Sequence, residues 1–429
     1  MIYILFFLFF CMSSCTSPTP KEITKIENKN NIIYFGEAID KSKEVFLSEI
    51  IDSISLIPLQ TKSNCLLRNT YWYTHTPPFI CSSGLLFNYD GKFITRIGRL
   101  GGGPGEEIYK PIDVLYHPKH NKFLSKNSKI ITYNKNGEFT GIERQLFKTD
   151  HKYGKIISGN DKLIEKAVAG DNFVFNYDYD SLIWMDINLN IIARKKIPKG
   201  GDASVFIGGN DQSKYYRLFT TNKDSTLFYN YWNDTIYRVT SSQIEPRWIL
   251  DFGEKKAPDM IRTNADELKK KYWEEAQHDI MRRRGRGHGV SNYENLEMVL
   301  LTKAKKGIWA VYETSDYLFF IWSDIVPYRG VRGITDFYYQ IGYYQKSTGQ
   351  TIAVKGTGFN DDILGTGSFI PLYGVFNDNL MKVIWPFELT ELIEKKQAKG
   401  EEVHPRLLEL HKQMSDEDNP FLMVAHLKK

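Results

Sequence analysis

The stretch Gly98–Glu107, with the sequence GRLGGGPGEE, separates two segments that both predict antiparallel β-structure. Before it, Leu85–Ile97 contains Asp90-Gly91 between two apolar runs. This dipeptide is a strong hairpin signal, because glycine adopts a positive φ without steric cost. After it, Pro111–Leu115 has the apolar character of a new strand. We therefore predict that the glycine run connects two antiparallel sheets.

The strand–turn–strand plan recurs along the chain. NYDGKF at Asn88–Phe93 returns as NKNGEF at Asn134–Phe139, about 46 residues later, and more weakly as DINLNI at Asp186–Ile191. Sets of four consecutive strands are predicted at 214–252 and 309–355. A repeat of 40 to 50 residues with four strands each is typical of a β-propeller. We predict an all-β fold, a six-bladed β-propeller of four-stranded antiparallel blades.

Two helical regions interrupt the predicted strands. Asn264 is a candidate N-cap with Glu267 three residues later, as in a capping box, and it lies within a helical insertion placed at about 258–290. The C-terminal helices are predicted at Pro386–Lys399 and Leu407–Met414. The propeller is therefore expected to carry one internal insertion and one C-terminal helical region.

The two ends of the folded part are predicted to close the ring. The first and last blades of a propeller leave unpaired strand edges, which are aggregation hazards. The apolar alternation of Ser53–Leu59 predicts an N-terminal strand. The apolar run Phe421–Leu427 predicts a closing strand at about 420–427. Pairing of the first strand with the C-terminal strands would remove both edges.

The first fifteen residues have the composition of an export signal. Ile2–Phe10 is an unbroken apolar run, too short for the roughly 20 residues that span a bilayer. It ends in MSSC at Met12–Cys15, which resembles a bacterial lipobox, whose cysteine is lipidated and becomes the first mature residue. We favour a lipoprotein signal peptide at 1–15 over a plain cleaved signal peptide. Lipid on Cys15 would hold a soluble domain at a membrane surface.

A polar segment follows the lipobox. Thr16–Asn31 has too few apolar side chains to pack, so we predict a flexible tether at 16–44 and the propeller at 45–429. Ile32–Phe35 is an alternative start of the folded part.

A family resemblance supports this architecture. Ile97–Val114, with its spaced glycines, Glu106 and Pro111, resembles the NHL-type propeller repeat. Four further segments resemble the six-bladed β-propeller lipoproteins of Bacteroidetes: Ile57–Gln60, Asn233–Tyr237, Asp361–Ile363 and Glu417–Pro420. The similarity covers the chain from about Ser53 to its end. It implies an exported, lipid-anchored propeller and little chemistry, because most members lack an established activity.

Motifs that could support catalysis are weak. The glycine run lacks the following helix that a phosphate-binding loop needs. His117-Pro118-Lys119-His120 offers two imidazoles where a metal site needs three or four ligands, so we predict a solvated turn. Asp178–Asp180 and Asp186–Asn190 lack the glycine and glutamate of a calcium loop and are predicted to be turns. We assign no catalytic residue, no metal and no cofactor.

Two further groups of residues are candidates for a specific role. Cys65 and Cys81 are the cysteines that remain after the signal, and two alternatives are open: a disulfide, or two small buried side chains. Arg282, Arg283, Arg284 and Arg286 form the densest cationic patch, a candidate anion-binding site or a solvated helix end.

We conclude that the sequence predicts a binding or scaffold module for an envelope partner, a glycan or a peptide. The alternative is an envelope enzyme, a metal-dependent hydrolase or lyase, that uses the central channel. A net charge of +5 over 429 residues, together with the export signal, argues against a nucleic-acid partner. Thr16–Glu22 lacks the acidic cluster that favours surface export in Bacteroidetes, so we expect lipid anchoring at the periplasmic face of the outer membrane.

Overall fold

The computed structural model describes most of the chain between residues 31 and 428. The described ranges are 31–67, 73–76, 78–107, 114–126, 129–145, 148–150, 155–158, 163–177, 181–197, 219–222, 225–229, 234–253, 306–326, 336–371, 374–376 and 378–428. The signal peptide, the first part of the tether and the predicted helical insertion at 258–290 lie outside them.

Six small antiparallel sheets form the blades of a propeller ring, as predicted. A segment before the first blade contains β1 (Ile32–Tyr34), α1 (Phe35–Asp40), a 3-10 turn (Leu47–Glu49) and β2 (Ile51–Pro58). Blade 1 contains β3 (Tyr73–Thr76), β4 (Phe79–Ser82), β5 (Leu85–Phe87) and β6 (Phe93–Arg96). The connection to blade 2 contains β7 (Arg99–Leu100) and β8 (Glu106–Glu107). Blade 2 contains β9 (Val114–His117), β10 (Lys122–Lys126), β11 (Lys129–Asn134) and β12 (Phe139–Gln145).

The third and fourth blades have the same strand order. A hairpin of β13 (Lys148–Asp150) and β14 (Lys155–Ser158) precedes them. Blade 3 contains β15 (Leu163–Ala169), β16 (Asn172–Tyr177), β17 (Ser181–Met185) and β18 (Ile191–Lys196). Blade 4 contains β19 (Phe219–Asn222), β20 (Ser225–Phe228), β21 (Thr235–Val239) and β22 (Ile244–Asp251).

The last two blades include the helices. Blade 5 contains β23 (Lys306–Glu313), β24 (Tyr317–Val326), β25 (Asp336–Gln345) and β26 (Gln350–Ala353), and the hairpin β27 (Phe359–Asp361) and β28 (Gly367–Phe369) follows it. Blade 6 contains β29 (Val375–Phe376), β30 (Asn379–Ile384), β31 (Phe421–Leu427) and the N-terminal β2. Helices α2 (Pro386–Ala398) and α3 (Pro405–Gln413) lie between β30 and β31. In the part of the chain with assigned structure, no helix is long and apolar enough to cross a bilayer.

Antiparallel pairing gives the ring two different faces. The first strands of successive blades, from β3 to β23, contact one another and line the axis. The turns between the first and second strands and between the third and fourth strands of each blade lie on one face, which we call the turn face. The connections between the second and third strands and those between blades lie on the opposite face, which we call the connection face.

The ring closes as predicted from the two chain ends. Strand β2 pairs antiparallel with β31, with Pro58 opposite Phe421 and Ile51 opposite Leu427. Strand β31 pairs on its other side with β30. The N-terminal strand is therefore the outermost strand of blade 6, and both predicted free edges are paired.

The predicted tether at 16–44 extends too far, because the folded part includes residues from 32 onward. Strand β1 pairs in parallel with β22 as a fifth strand of blade 4. Phe35 follows it and is fully buried, with its ring centroid 4.7 Å from that of Phe320 and 5.4 Å from that of Phe252. This aromatic contact joins blades 4 and 5, so the alternative start at Ile32–Phe35 is the one that the structure shows.

The three echoed turns occupy equivalent positions between the third and fourth strands of blades 1, 2 and 3. Oδ1 of Asn88 accepts hydrogen bonds from two backbone amides, at 3.1 and 2.9 Å. Asn134 Oδ1 and Asp186 Oδ1 accept the same two bonds at 2.8 to 3.0 Å. The left-handed residue of the turn is Gly91 in blade 1, with a φ of 77°, and Gly137 in blade 2, with a φ of 81°. The repeat inferred from sequence is confirmed at the level of single hydrogen bonds.

Candidate functional site

The glycine run is held against blade 2 by two charged side chains. The backbone amide of Gly105 donates to Glu143 Oε2 at 2.9 Å. Lys129 Nζ lies 2.9 Å from the same carboxylate oxygen and donates to the carbonyl of Gly103 at 3.1 Å. The amide of Gly103 donates in turn to Glu106 Oε2 at 2.9 Å. Two amides of the run, those of Gly103 and Gly105, therefore already donate to carboxylates and are not free for a phosphate.

Burial and hydrogen bonding act in opposite directions on the pKa of Glu143 in this cluster. Burial raises the pKa of Glu143, but the Gly105 amide and the Lys129 ammonium lower it more, so its net pKa is below the ordinary value. Burial, with the nearby charges of Glu107 and Glu143, raises the pKa of Tyr133. The fully buried Glu107 accepts a hydrogen bond of 2.5 Å from Ser125 Oγ. The cluster fixes the path of the glycine run across the connection face.

A second polar cluster lies on the turn face, where the inner strands of blades 4, 5 and 6 end. Asn222 Nδ2 donates to the carbonyl of Glu313 at 2.9 Å and to Asp378 Oδ1 at 2.5 Å. The other oxygen of Asp378 accepts from Ser315 Oγ at 2.7 Å. The Glu313 carboxylate, 10% exposed, lies 2.9 Å from Lys346 Nζ and 3.3 Å from the guanidinium of Arg247.

A small pocket opens beside this cluster. Its lining residues are Thr220, Thr221, Asn222, Ser225, Leu227, Tyr312, Glu313 and Val375. Lys346 and Arg247 lie within ion-pair distance of the Glu313 carboxylate and offset its charge. The pocket therefore offers hydrogen-bonding groups rather than a strong charge of one sign. Among the residues with an assigned structure, no group of three or more histidine, cysteine, aspartate or glutamate side chains could hold a metal ion.

The prediction that His117–His120 forms a solvated turn is wrong for His117. His117 is fully buried, whereas His120 is exposed. The two ring centroids are 4.6 Å apart, and the ring of Phe173 from blade 3 lies 5.2 Å from that of His117. The outer residues of the turn do face solvent, and Lys119 Nζ forms an ion pair of 2.6 Å with Asp171 Oδ1.

The two cysteines lie in different packing clusters. Cys65 packs with residues of blades 1 and 6, and its thiol donates to the carbonyl of Gln60 at 3.2 Å. Cys81 is buried in the cluster between blades 1 and 2. Both positions are in the described part of the chain, and the structure records no bond between them. Both side chains are fully buried.

Several of the predicted residues lie outside the part of the chain that the structure describes. These are Cys15, Asp178–Asp180 and the arginines of the cationic patch, Arg282, Arg283, Arg284 and Arg286. The turn at Asp186–Asn190 is placed and is confirmed as a turn, with Asp186 as its acceptor. Sequence reasoning missed Lys129, Glu143, Asn222 and Asp378, because their partners are distant in the sequence. The only available signal was a charged residue within an otherwise apolar strand, as at Lys129.

The sequence of residues 30–426 matches the family described as "Domain of unknown function (DUF4934)". The chain belongs to this family. No curated protein sequence matches it. The match covers the N-terminal segment, all six blades and the helices, so the whole ring is the family's domain.

One solved structure shares this fold over nearly the full length of the chain. A protein assigned as exported, from Bacteroides fragilis, is 19% identical, with a TM-score of 0.58 over 93% of this chain and 100% of that one. BamB from Moraxella catarrhalis is 10% identical, with a TM-score of 0.30 over 70% of this chain and 63% of that one. The first of these supports the propeller fold for nearly the full length of the chain.

Proposed function

We propose that this protein is an exported lipoprotein, held at the membrane by lipid on Cys15, that binds or scaffolds an envelope partner through its connection face. One observation carries the proposal: the long additions to the minimal propeller begin and end on that face. They include the glycine run and the helical hairpin α2–α3, and on this face the chain also leaves blade 4 at residue 253 and enters blade 5 at residue 306. The turn face has short turns instead. Binding residues are commonly found on loops that a rigid scaffold positions.

Helix α2 presents a specific surface on the connection face. Its buried side includes Leu389 and Ile393. Phe387, Glu391 and Glu394 are exposed, and their spacing of four and three residues places them on one side of the helix. An exposed aromatic ring beside two carboxylates suits a partner that combines an apolar group with positive charge.

The export part of the proposal has separate support. The lipobox-like MSSC at Met12–Cys15 indicates lipidation, and the structural relative from Bacteroides fragilis is assigned as exported. The spaced glycines of Ile97–Val114 support an NHL-like origin of the repeats. A Cys15→Ala variant should lose membrane association, and recovery of this variant in the membrane fraction would contradict lipidation.

The face assignment can be tested with a photo-crosslinking amino acid in living cells. We expect a crosslinked envelope component when the probe replaces Phe387 or Glu391 on the connection face. Probes at Asp90 and Asp316, exposed residues of turn-face turns, are the matched controls and should give no such product. Glu394→Lys should weaken the crosslink from Phe387. Equal crosslinking from both faces, or none from the connection face, would refute the proposal.

A further inference from the structure

A buried imidazole lies where blades 2 and 3 meet on the turn face. His117 is the last residue of β9, and its ring packs against Phe173 of β16 and against His120. The side chain is fully buried, and neither ring nitrogen makes a hydrogen bond of normal geometry to the described residues. We call the contact of the His117–His120 turn with Asp171 and Phe173 the blade 2–3 seam.

The charges that face this ring come from both blades. On its own turn are Lys119 and His120, and on the neighbouring strand β10 Lys122 is directly opposite His117. Blade 3 contributes one carboxylate, Asp171, which is paired with Lys119. The charges of Lys119 and of a second imidazole, His120, therefore act on the ring against one anion, Asp171, that already has a cation beside it.

We propose that His117 makes the blade 2–3 seam an acid-sensitive joint, which opens on the turn face when the imidazole gains a proton. A charged ring in this position would pay a large desolvation cost, because it has no counter-ion of its own to offset the loss of water. Opening the seam would separate the ring from Phe173 and Asp171 of blade 3 and hydrate it, which removes the desolvation cost of the charged form. The inference concerns the turn face and is independent of the partner proposed for the connection face.

The direction of the pH effect follows from linkage. Burial lowers the pKa of His117 below its usual 6.5, and the charges of His120 and Lys119 add to this, while the backbone and charge of Asp171 oppose it. The open seam, with a hydrated ring, therefore binds the proton more tightly than the closed seam. As the pH falls below about 6.5, the open population rises by at most about tenfold per pH unit, because one proton is taken up.

Hydrogen exchange measured by mass spectrometry on the full-length mature protein tests this joint. After correction for the intrinsic pH dependence of exchange, peptides covering 114–126 and 163–177 should exchange several-fold faster at pH 5.5 than at pH 7.5. Peptides from β30 and β31 should not change. The variant His117→Phe fills an aromatic site without a titratable group and should lose the acceleration, whereas His120→Gln should keep it.

Two results would overturn the proposal. One is an unchanged acid acceleration in His117→Phe, and the other is a wild-type seam whose exchange does not respond to pH. If His117→Phe does not fold, the nitrogen chemical shifts of histidine-labelled wild-type protein decide the question. A His117 ring that titrates at or above pH 6.5 in the folded protein refutes the joint, and one that stays neutral until exchange accelerates supports it.

Discussion

The substitution Gly91→Ala tests the contact that closes the ring. Gly91 has a φ of 77° in the turn between β5 and β6. A Cβ at this position would overlap the carbonyl of Pro58, the last residue of the closing strand β2. The backbone of the turn also bonds across this junction, with the amide of Gln60 donating to the carbonyl of Gly91 at 2.8 Å. The added methyl group would therefore push blade 1 away from blade 6.

The expected loss of stability has two parts. A left-handed backbone costs a non-glycine residue about 1–2 kcal/mol. Overpacking against a fixed neighbour costs about 1–3 kcal/mol more. The carbonyl of Pro58 is part of a paired strand and cannot rotate away, so both parts should apply. We expect Gly91→Ala to reduce the free energy of unfolding by about 2–5 kcal/mol.

A matched control separates the two parts. Gly349 lies in the corresponding turn of blade 5 with a φ of 70°, and a Cβ there would meet no atom within 4 Å. Gly349→Ala should therefore cost only the backbone part, about 1–2 kcal/mol. Urea unfolding followed by tryptophan fluorescence gives both values. Equal losses for the two variants would show that the Pro58 contact is not rigid and would refute the reasoning about ring closure.

Three further predictions concern other junctions. Asn419 is fully buried, and its side chain accepts a hydrogen bond from the Leu67 amide at 2.7 Å and donates to the carbonyls of Gln60 and Cys65. Asn419→Ala removes these hydrogen bonds, so it should lower the free energy of unfolding by about 2–4 kcal/mol in the same urea assay. Because the pKa of Glu143 is lowered in the folded state, its contribution to stability is present above about pH 4.5 and is lost as the pH falls; Glu143→Gln should flatten the thermal stability profile in that acidic range, and an unchanged profile would contradict the assignment. For the hairpin α2–α3, Leu389→Ala should cost about 2–4 kcal/mol, and a loss no larger than that of the exposed Glu391→Ala would show that the helix does not pack on the ring.

The fold could be predicted from sequence because its signals are local. The turns at Asn88–Phe93 and Asn134–Phe139 are set by a side-chain acceptor and a left-handed glycine within six residues of each other. The third echo, Asp186–Ile191, is weaker in sequence because Leu189 takes the left-handed position, with a φ of 65°, and its side chain is buried. Packing against blades 2 and 3 compensates for the backbone strain there. Such compensation depends on tertiary contacts and has no local signature.

The polar clusters could not be predicted, because their members meet only when the ring closes. Asn222 and Asp378 are 156 residues apart in the chain and hydrogen-bond across the inner ends of blades 4 and 6. His117 looked like part of a solvated turn, since nothing in its own segment shows that Phe173 from the next blade covers it. Radial packing therefore buries polar residues at the boundaries between blades, where either blade alone would leave them in water. Phe387 of α2 stays exposed on the connection face, whereas His117 is covered at a blade boundary, which is why we look for the partner at the connection face and for the acid response at the blade 2–3 seam.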